Sequence, residues 1–338
     1  MVPALAVAAA LRAEGAEVEF IGAGRAEATL VPAAGYPLHA IEVEGLSRTN
    51  PLKALRALLR AALALPRARR LLKRLAPDAV LGGGGYVAGP VALAAVSLRL
   101  PLVLTEADSH LGLTNRLMAP FARRVCLSFP LRGRESARYR VTGRPIPSSV
   151  RDERTARERL GIEQGETCVL VFGGSLGARS INRAAAEAFA ACEFRVLHIA
   201  GERDYPELLA RGLRPGYDLR EYLQGPDFAD ALAAADLAVA RAGGSVFEIA
   251  AHGVPAVLVP YPHAAGDHQS ANARWMADAG AAVVIADGEL TAARLAGQVT
   301  ELLGDRERLA RMAAASRSLA RPDAAGEVAG ELLQAAGG

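Results

Sequence analysis

The chain has 338 residues, of which 51% are hydrophobic and 5% aromatic, with 34 glycines and a formal net charge of +3. This length predicts two domains, and the composition disfavours disorder. No apolar run reaches the ~18 residues of a membrane span, and the start lacks the basic front of a signal peptide. Three scattered cysteines (Cys126, Cys168 and Cys192) predict a reducing compartment and no disulfide framework.

The first predicted element is a helix with no strand in front of it. Pro3 suits the first turn of a helix, and Gly15 is a typical stop. The stretch "VEFIG" then predicts a short buried strand. The opening therefore lacks the strand that would normally lead into such a helix.

A basic, leucine-rich segment follows. Between Glu44 and Asp78 there is no acidic residue, whereas nine residues are lysine or arginine. Asn50 and Pro51 predict the start of a helix. At helical spacing the leucines and the bases form two neighbouring stripes: Leu52, Leu55, Leu59 and Leu63, and Lys53, Arg56 and Arg60. This arrangement suits contact with anionic lipid headgroups, and an ordinary amphipathic helix is the alternative.

Short apolar strands alternate with helices along most of the chain, in two series that are separated near "VTGRPIPSSVRDERTARERLG". Such alternation predicts parallel sheets with right-handed crossovers. We therefore predict an α/β protein with two Rossmann-like doubly wound domains facing a cleft. The expected domains are residues 1–144 and 145–338, and the last helix could pack back on the first domain. Ligands are expected beyond the carboxyl ends of the strands.

Two strand-to-helix turns of the second series give the clearest indication of a ligand-binding site. In "VLVFGGSLGARSIN" the candidate ligand contacts are Gly174, Ser175, Leu176 and Gly177. In "LAVARAGGSVFEIAAHG" they are Gly244, Ser245 and Glu248. Glycines let a ligand approach the backbone, and free amides at a helix start attract anions. A tight turn is the alternative for the first loop, and a favourable helix-dipole contact is the alternative for Glu248.

The first series offers a glycine run and a polar cluster. Gly82 to Gly85 form either an open backbone wall or a flexible turn. In "LTEADSHLGLTNRL", Glu106, Asp108 and His110 gather just past a strand, where catalytic groups are expected. Capping of the next helix by Asp108 or Ser109 is the competing interpretation.

A last polar set occurs in "HAAGDHQSANARW", where His268, Gln269 and Asn272 could meet sugar hydroxyls. A capped helix with a polar face explains these residues almost as well. No Asp-x-Asp motif and no His/Cys ligand spacing is present. We therefore expect no metal and no cofactor, with backbone amides in place of a cation.

Taken in order, these motifs resemble the MurG family of glycosyltransferases, and the likeness runs nearly end to end. The motifs are "VLGGGGYVAGP", "GLTNRLMAPFARRV", "GGSLGA", "RAGGSVFEIAAHGVPAVLVPYP" and "HQSANA". The resemblance implies the glycosyltransferase B fold and inverting, metal-independent transfer. It implies UDP-GlcNAc as the donor and lipid I (undecaprenyl-diphosphate-MurNAc-pentapeptide) as the acceptor, with lipid II as the product.

The resemblance also implies residue roles. Ser175 and its neighbours would contact the donor diphosphate or sugar, and Gly244 and Ser245 would hold phosphate. Glu248 would bind the ribose, His268 and Gln269 would face GlcNAc, and the backbone at Leu223 would read uracil. Residues 52–74 would dock on anionic lipid at the cytoplasmic face of the bacterial cell membrane. A cell-wall synthesis complex is an implied partner, and nucleic acid is not.

The chain departs from the family pattern in three places. Ala107 and Asp108 replace an amide pair, and Pro147 stands where an arginine is usual. The family's first strand, its glycine loop and a histidine proposed as the general base have no counterpart after Met1, so we expect a longer native chain. Within this sequence Asp108 and Glu106 are the candidate bases, with His110 beside them. The alternatives are a UDP-GlcNAc 2-epimerase, a glycolipid synthase and an inactive nucleotide-sugar-binding scaffold.

Overall fold

The computed structural model describes residues 1–24, 27–41, 51–146, 151–174, 177–223 and 225–337, without the side chains of 51–62, 86 and 265. The chain forms two compact units. Unit 1 comprises Met1–Pro147 and Pro322–Gly338, and unit 2 comprises Ser148–Arg321.

Unit 1 alternates short strands with helices. Its strands are β1 (Phe20–Gly22), β2 (Leu38–Ala40), β3 (Val80–Gly82), β4 (Leu102–Glu106), β5 (Arg124–Leu127) and β6 (Tyr139–Val141). Its first five helices are α1 (Val2–Ala13), α2 (Glu27–Ala33), α3 (Pro51–Leu75), α4 (Gly85–Ser97) and α5 (Leu113–Met118). The strands pair in parallel as β1-β2 and as β3-β4-β5-β6. Helices α3 and α4 pack on the second sheet, because their alanines and leucines form one core with its valines and leucines.

Unit 2 contains one parallel sheet among the described residues. Its strands are β7 (Cys168–Phe172), β8 (Arg195–Ile199), β9 (Tyr217–Arg220), β10 (Leu237–Ala240), β11 (Ala256–Leu258) and β12 (Ala282–Val284). Its helices are α6 (Glu153–Leu160), α7 (Arg179–Ala188), α8 (Tyr205–Leu209), α9 (Pro226–Ala233), α10 (Val246–His252), α11 (His268–Asp278), α12 (Ala292–Gly304) and α13 (Arg306–Ser318).

The strand order of this sheet is β12-β11-β10-β7-β8-β9. The chain winds outward from β7 in one direction and from β10 in the other, so the order reverses between these two central strands. Such a switch point is where open α/β sheets bind ligands, beyond the carboxyl ends of the strands. The register pairs Phe172 with Ala240, which brings the loops after β7 and β10 to the same level.

The last helix, α14 (Ala324–Gly337), returns to unit 1 and packs against α1 and β4. Its Val328 and Leu332 share a core with Val7, Leu11 and Val103. Glu331 of α14 is only 4% exposed, and it accepts bonds from Arg124 Nε at 2.6 Å and Arg140 Nη1 at 2.7 Å. Two arginines therefore balance the buried carboxylate.

Candidate functional site

Two described glycines of the turn after β7, Gly173 and Gly177, have no room for a side chain. A Cβ atom on Gly177 would lie 2.0 Å from the Ala200 carbonyl oxygen, and one on Gly173 would lie 2.3 Å from Ala178. Gly174 and Gly177 both have positive φ, at 95° and 71°. A Cβ atom on Gly174 would meet nothing within 4 Å, so a ligand can approach the backbone closely at that residue. Ser175 and Leu176 lie outside the described residues, so their assignment stays a prediction.

The turn after β10 brings Gly244 and Ser245 to the start of α10. Both residues are half-buried, and Ser245 occupies the N-cap position without a side-chain bond to the helix amides. Glu248 lies in the first turn and is half-buried. The arrangement brings backbone amides and a carboxylate close together along one helix start, as recognition of a phosphate and a sugar diol requires.

The start of α11 borders the same loop. His268 and Gln269 are half-buried, and Gln269 Oε1 accepts a bond from the Tyr261 amide at 2.9 Å. The Gln269 Nε2 atom lies 3.9 Å from the Cβ position of Gly243. Leu223 is half-buried in the segment that follows β9, at the same edge of the sheet.

Asn272, which was expected to meet a sugar hydroxyl, is buried beneath the loop after β10. It is 4% exposed, and its Nδ2 donates to the carbonyl oxygens of Ala242 at 3.0 Å and Gly243 at 3.4 Å. One turn further along α11 than Gln269, the side chain points into the protein because that face of the helix is packed. Asn272 therefore supports the loop after β10 from beneath.

Arg241 is a site residue that the sequence analysis missed. It is 8% exposed and donates to Asp287 Oδ1 at 2.6 Å, Ser180 Oγ at 2.9 Å and the Val259 carbonyl at 3.1 Å. A single arginine directly before "AGGS" was the available signal, since arginine is rarely buried unless it is paired. Asp287 gave no sequence signal, because it lies 46 residues away.

In unit 1, Glu106 is engaged in holding its own loop. It is 7% exposed; its Oε2 accepts from the Gly112 amide at 2.8 Å and Asn115 Nδ2 at 2.9 Å, and its Oε1 accepts from the Asp108 amide at 3.2 Å. A carboxylate with three donors inside the protein is poorly placed to take a proton from a substrate. The assignment of Glu106 as a base is therefore corrected to a positioning role.

Asp108 and His110 remain accessible at the same edge. Asp108 is half-buried and His110 is exposed. Within the described part of the chain, the Asp108 carboxylate makes no hydrogen bond or ion pair. It does not cap α5 either, because Gly112 occupies the N-cap position. Asp108 is thus the carboxylate of this loop that is open to a substrate.

The glycine run after β3 lies next to that loop. Gly84 and Gly85 have φ of 76° and 78°, and α4 starts at Gly85. Thr114 Oγ1 donates to the Gly85 carbonyl at 3.0 Å, and the Cβ position of Gly84 lies 3.5 Å from Asn115 Nδ2. The end of the glycine run is thus hydrogen-bonded to α5.

The predicted membrane stripe lies largely outside the described side chains. Leu52, Lys53, Leu55, Arg56, Leu59 and Arg60 belong to α3, but only its backbone is described there. Leu63 is described and exposed. A second apolar stripe is well described: Leu113, Leu117 and Phe121 follow one another at four-residue spacing along α5 and the 3-10 turn after it, each more than half exposed.

Among the described residues, no cluster of three or more His, Cys, Asp and Glu side chains has an arrangement that could hold a metal ion. No described helix combines the length and the apolar character needed to cross a bilayer.

Two family models match the chain. Residues 1–127 match the glycosyltransferase family 28 N-terminal domain, and residues 168–328 match the family 28 C-terminal domain. The two matches cover most of unit 1 and the sheet of unit 2 with its flanking helices.

Curated relatives match over almost the full length. The chain is 44% identical over 339 residues to a protein of Rubrobacter xylanophilus, covering 97% of this chain and 98% of the relative. It is 43% identical over 341 residues to one of Moorella thermoacetica, covering 95% and 92%. Both relatives are named UDP-N-acetylglucosamine--N-acetylmuramyl-(pentapeptide) pyrophosphoryl-undecaprenol N-acetylglucosamine transferase.

Among solved structures, Acinetobacter baumannii MurG superposes with a TM-score of 0.78 at 31% identity, covering 98% of this chain and 95% of that one. The predicted α/β class with two Rossmann-like units is therefore confirmed, and so is the resemblance to the MurG family. The predicted enzyme class, a hexosyltransferase, is confirmed with them.

Proposed function

The chain belongs to glycosyltransferase family 28, and on that premise we propose that it transfers GlcNAc from UDP-GlcNAc to lipid I. The acceptor is the C4 hydroxyl of MurNAc, the reaction inverts the anomeric carbon, and lipid II is the product. The observation that carries the proposal is the full-length similarity, above 40% identity, to relatives named for this transfer.

The donor occupies the switch point of unit 2. Its diphosphate lies against the backbone amides of the turns after β7 and β10, which stabilise the negative charge of departing UDP. Glu248 accepts bonds from the ribose hydroxyls, His268 and Gln269 meet the GlcNAc hydroxyls, and the backbone at Leu223 reads uracil. The accessible placement of these four residues at one edge of the sheet supports the assignment.

Asp108 is the base in this chain that we assign to the acceptor hydroxyl. Its carboxylate is free of other partners in the described structure, whereas that of Glu106 is occupied. Asp108 takes the proton of the MurNAc C4 hydroxyl as that oxygen attacks C1 of GlcNAc. The bond from C1 to the diphosphate oxygen breaks, and UDP leaves.

Transfer of labelled GlcNAc from UDP-GlcNAc to a short-chain lipid I analogue, with EDTA present, tests the function. We expect product from the wild-type chain and a loss of about 100-fold or more in kcat for Asp108→Asn. Glu106→Gln serves as the comparison, since it should change thermal stability as well as rate. Binding of UDP without any transfer would favour the inactive-scaffold alternative. Conversion of the GlcNAc unit to its 2-epimer would favour the UDP-GlcNAc 2-epimerase.

The enzyme also binds the anionic cytoplasmic face of the cell membrane from its periphery, where lipid I is held. The exposed stripe of Leu113, Leu117 and Phe121 supports this, because Arg116 and Arg123 are exposed beside it. Residues 109–134 contain five arginines and no acid. Apolar side chains flanked by bases suit an anionic bilayer surface.

Sedimentation with phosphatidylglycerol vesicles tests the membrane proposal. A Leu117→Ser/Phe121→Ser variant should bind these vesicles more weakly than wild type. Leu209→Ser is the matched control, since Leu209 in unit 2 is as exposed as Leu117. Equal sedimentation of all three proteins would contradict a role for this stripe and leave the 52–63 segment as the candidate.

A further inference from the structure

The buried guanidinium of Arg241 lies where four neighbouring strands end. Arg241 itself follows β10, and Val259 and Pro260 follow β11. Ser180 is in the first turn of α7, which follows β7, and Asp287 lies beyond β12. Because β12, β11, β10 and β7 are consecutive in the sheet, one side chain reaches the carboxyl ends of all four.

The contacts form a closed network. Arg241 Nη1 donates to Asp287 Oδ1 at 2.6 Å and to the carbonyls of Val259 and Pro260 at 3.1 and 3.2 Å. Arg241 Nη2 donates to Ser180 Oγ at 2.9 Å, and this hydroxyl donates to Asp287 Oδ1 at 2.6 Å. Charge and hydrogen bonds are thus balanced inside the protein, which a buried arginine requires.

The network joins the two loops that the proposed function assigns to the donor diphosphate. On one side, Ser180 is three residues beyond Gly177, where an added Cβ atom would lie 2.0 Å from the Ala200 carbonyl oxygen. On the other side, Arg241 immediately precedes Ala242, whose carbonyl is held by Asn272. The bond from Arg241 to Ser180 therefore links a residue that precedes one loop to a residue that follows the other.

We infer that Arg241, Ser180 and Asp287 are positioning residues, which hold the two diphosphate loops at the separation needed to bind the nucleoside diphosphate of the donor. This inference rests on the proposed function. None of the three residues is assigned a contact with the donor: they act through the loops they connect. The planar fork of arginine is needed, because its two terminal nitrogens must donate in different directions.

The lead variant is Ser180→Ala, because it removes one hydroxyl and leaves Arg241 with Asp287 and two carbonyls. The matched control is Ser316→Ala. Ser316 is a fully buried serine of α13 whose Oγ has no hydrogen-bond partner in the described structure, and it is remote in sequence from the loops. Both changes are of the same size and chemistry.

UDP is titrated by calorimetry, without metal, into the full-length wild type and both variants. We expect Ser180→Ala to raise the Kd for UDP about 5- to 10-fold and Ser316→Ala to leave it unchanged. In transfer assays, KM for UDP-GlcNAc should rise in Ser180→Ala while KM for the lipid I analogue stays constant. General loosening of the fold would raise both KM values together, and that result would overturn the inference.

Arg241→Lys supplies a second, independent readout. Lysine keeps the positive charge near Asp287, but a single nitrogen cannot reproduce the fork. If both variants act through the same bond, the double variant Ser180→Ala/Arg241→Lys should bind UDP no more weakly than Arg241→Lys alone. If the fold-changes in Kd of the two single variants multiply in the double variant, Ser180 and Arg241 do not act through the same bond. Should Arg241→Lys fail to fold, the Ser180→Ala titration decides.

The wild-type titration distinguishes a failure of the proposed function from a failure of the positioning role. Absence of UDP binding to the wild type would overturn the proposed function and the inference with it. UDP binding to the wild type, with an equal Kd for Ser180→Ala, would overturn the inference alone.

Discussion

At the scale of single residues, the position of a glycine relative to its neighbours decides what it does. Gly177 and Gly165 both have positive φ, at 71° and 84°. A Cβ atom on Gly177 would lie 2.0 Å from a carbonyl oxygen, whereas one on Gly165 would meet nothing within 4 Å. Glycine is thus required at position 177 by both packing and backbone conformation, whereas at position 165 it is favoured by backbone conformation alone.

Gly177→Ala should therefore destabilise unit 2 by more than about 2 kcal/mol, because backbone strain and a clash add together. Gly165→Ala should cost about 1 kcal/mol, from strain alone. Urea unfolding followed by circular dichroism measures both. Equal destabilisation would mean that the turn after β7 relaxes around the new methyl group.

His198 on β8 is buried and neutral. Asn182 Nδ2 donates to the Ala200 carbonyl and to Asp204 Oδ2, both at 2.8 Å, so its Oδ1 accepts from His198 Nε2 at 3.1 Å. His198 Nδ1 then accepts from the Tyr217 hydroxyl at 2.8 Å. Burial lowers the pKa of His198 to about 4. The proton that charges this ring is taken up mainly by the unfolded chain.

Stability should consequently fall as the pH drops below the unfolded pKa of about 6.5 and continue to fall towards pH 4. Between pH 7 and pH 5 the expected loss is about 2 kcal/mol. His198→Gln should remove that part of the pH dependence in urea unfolding. Asp204 does not contribute in this window, because its bond from Arg203 lowers the pKa of its carboxyl to about 2. An unchanged pH slope in the variant would contradict a neutral His198.

At the scale of elements, the apolar pattern of the sequence predicts strands whose residues are buried, but it does not predict the exposed edge strand β6. Strands β1, β7 and β10 overlap the quoted apolar runs "VEFIG", "VLVF" and "LAVA", whereas β6 (Tyr139–Val141) was not expected. β6 is an edge strand and two of its three residues are exposed, so it needs no apolar run. Because β6 pairs with β5 on one side only, the hydrogen bonds to β5 identify it as a strand.

Helix α14 depends on one buried carboxylate. Glu331→Ala should destabilise unit 1 by about 2 kcal/mol or more, since Arg124 and Arg140 lose their shared partner. The comparison is Glu327→Ala, which removes a single 3.3 Å contact with Arg140 and should cost less than about 1 kcal/mol. Guanidinium unfolding of both variants measures the difference. If the two losses are equal, α14 is held by its apolar face alone.

At the scale of the whole molecule, the two units differ in how the chain builds them. The core of unit 2 is drawn entirely from Ser148–Arg321. Unit 1 needs two separate stretches, because Val328 and Leu332 of α14 cover Val7, Leu11 and Val103. Among the described core residues, those of unit 2 therefore come from one continuous segment, and those of unit 1 come from two.

A fragment of residues 148–321 should accordingly fold cooperatively and bind UDP by itself. A fragment of residues 1–147 should expose the apolar surface that α14 covers and bind the dye ANS. Calorimetric unfolding and dye fluorescence measure the two outcomes. A 148–321 fragment that melts without a cooperative transition would show that unit 2 depends on the rest of the chain.

The sequence by itself determined the alternation of strands and helices, the glycine turns after β7 and β10 and the family. The spacing of apolar residues and the presence of glycine in turns are local properties, so they can be recognised within a few residues of sequence. The tertiary structure alone decided that Glu106 and Asn272 point inward, that Arg241 meets Asp287, and that Glu331 of α14 pairs with Arg124 and Arg140. Those outcomes depend on contacts between residues far apart in the chain, because side-chain direction and burial are set by whatever element packs against them.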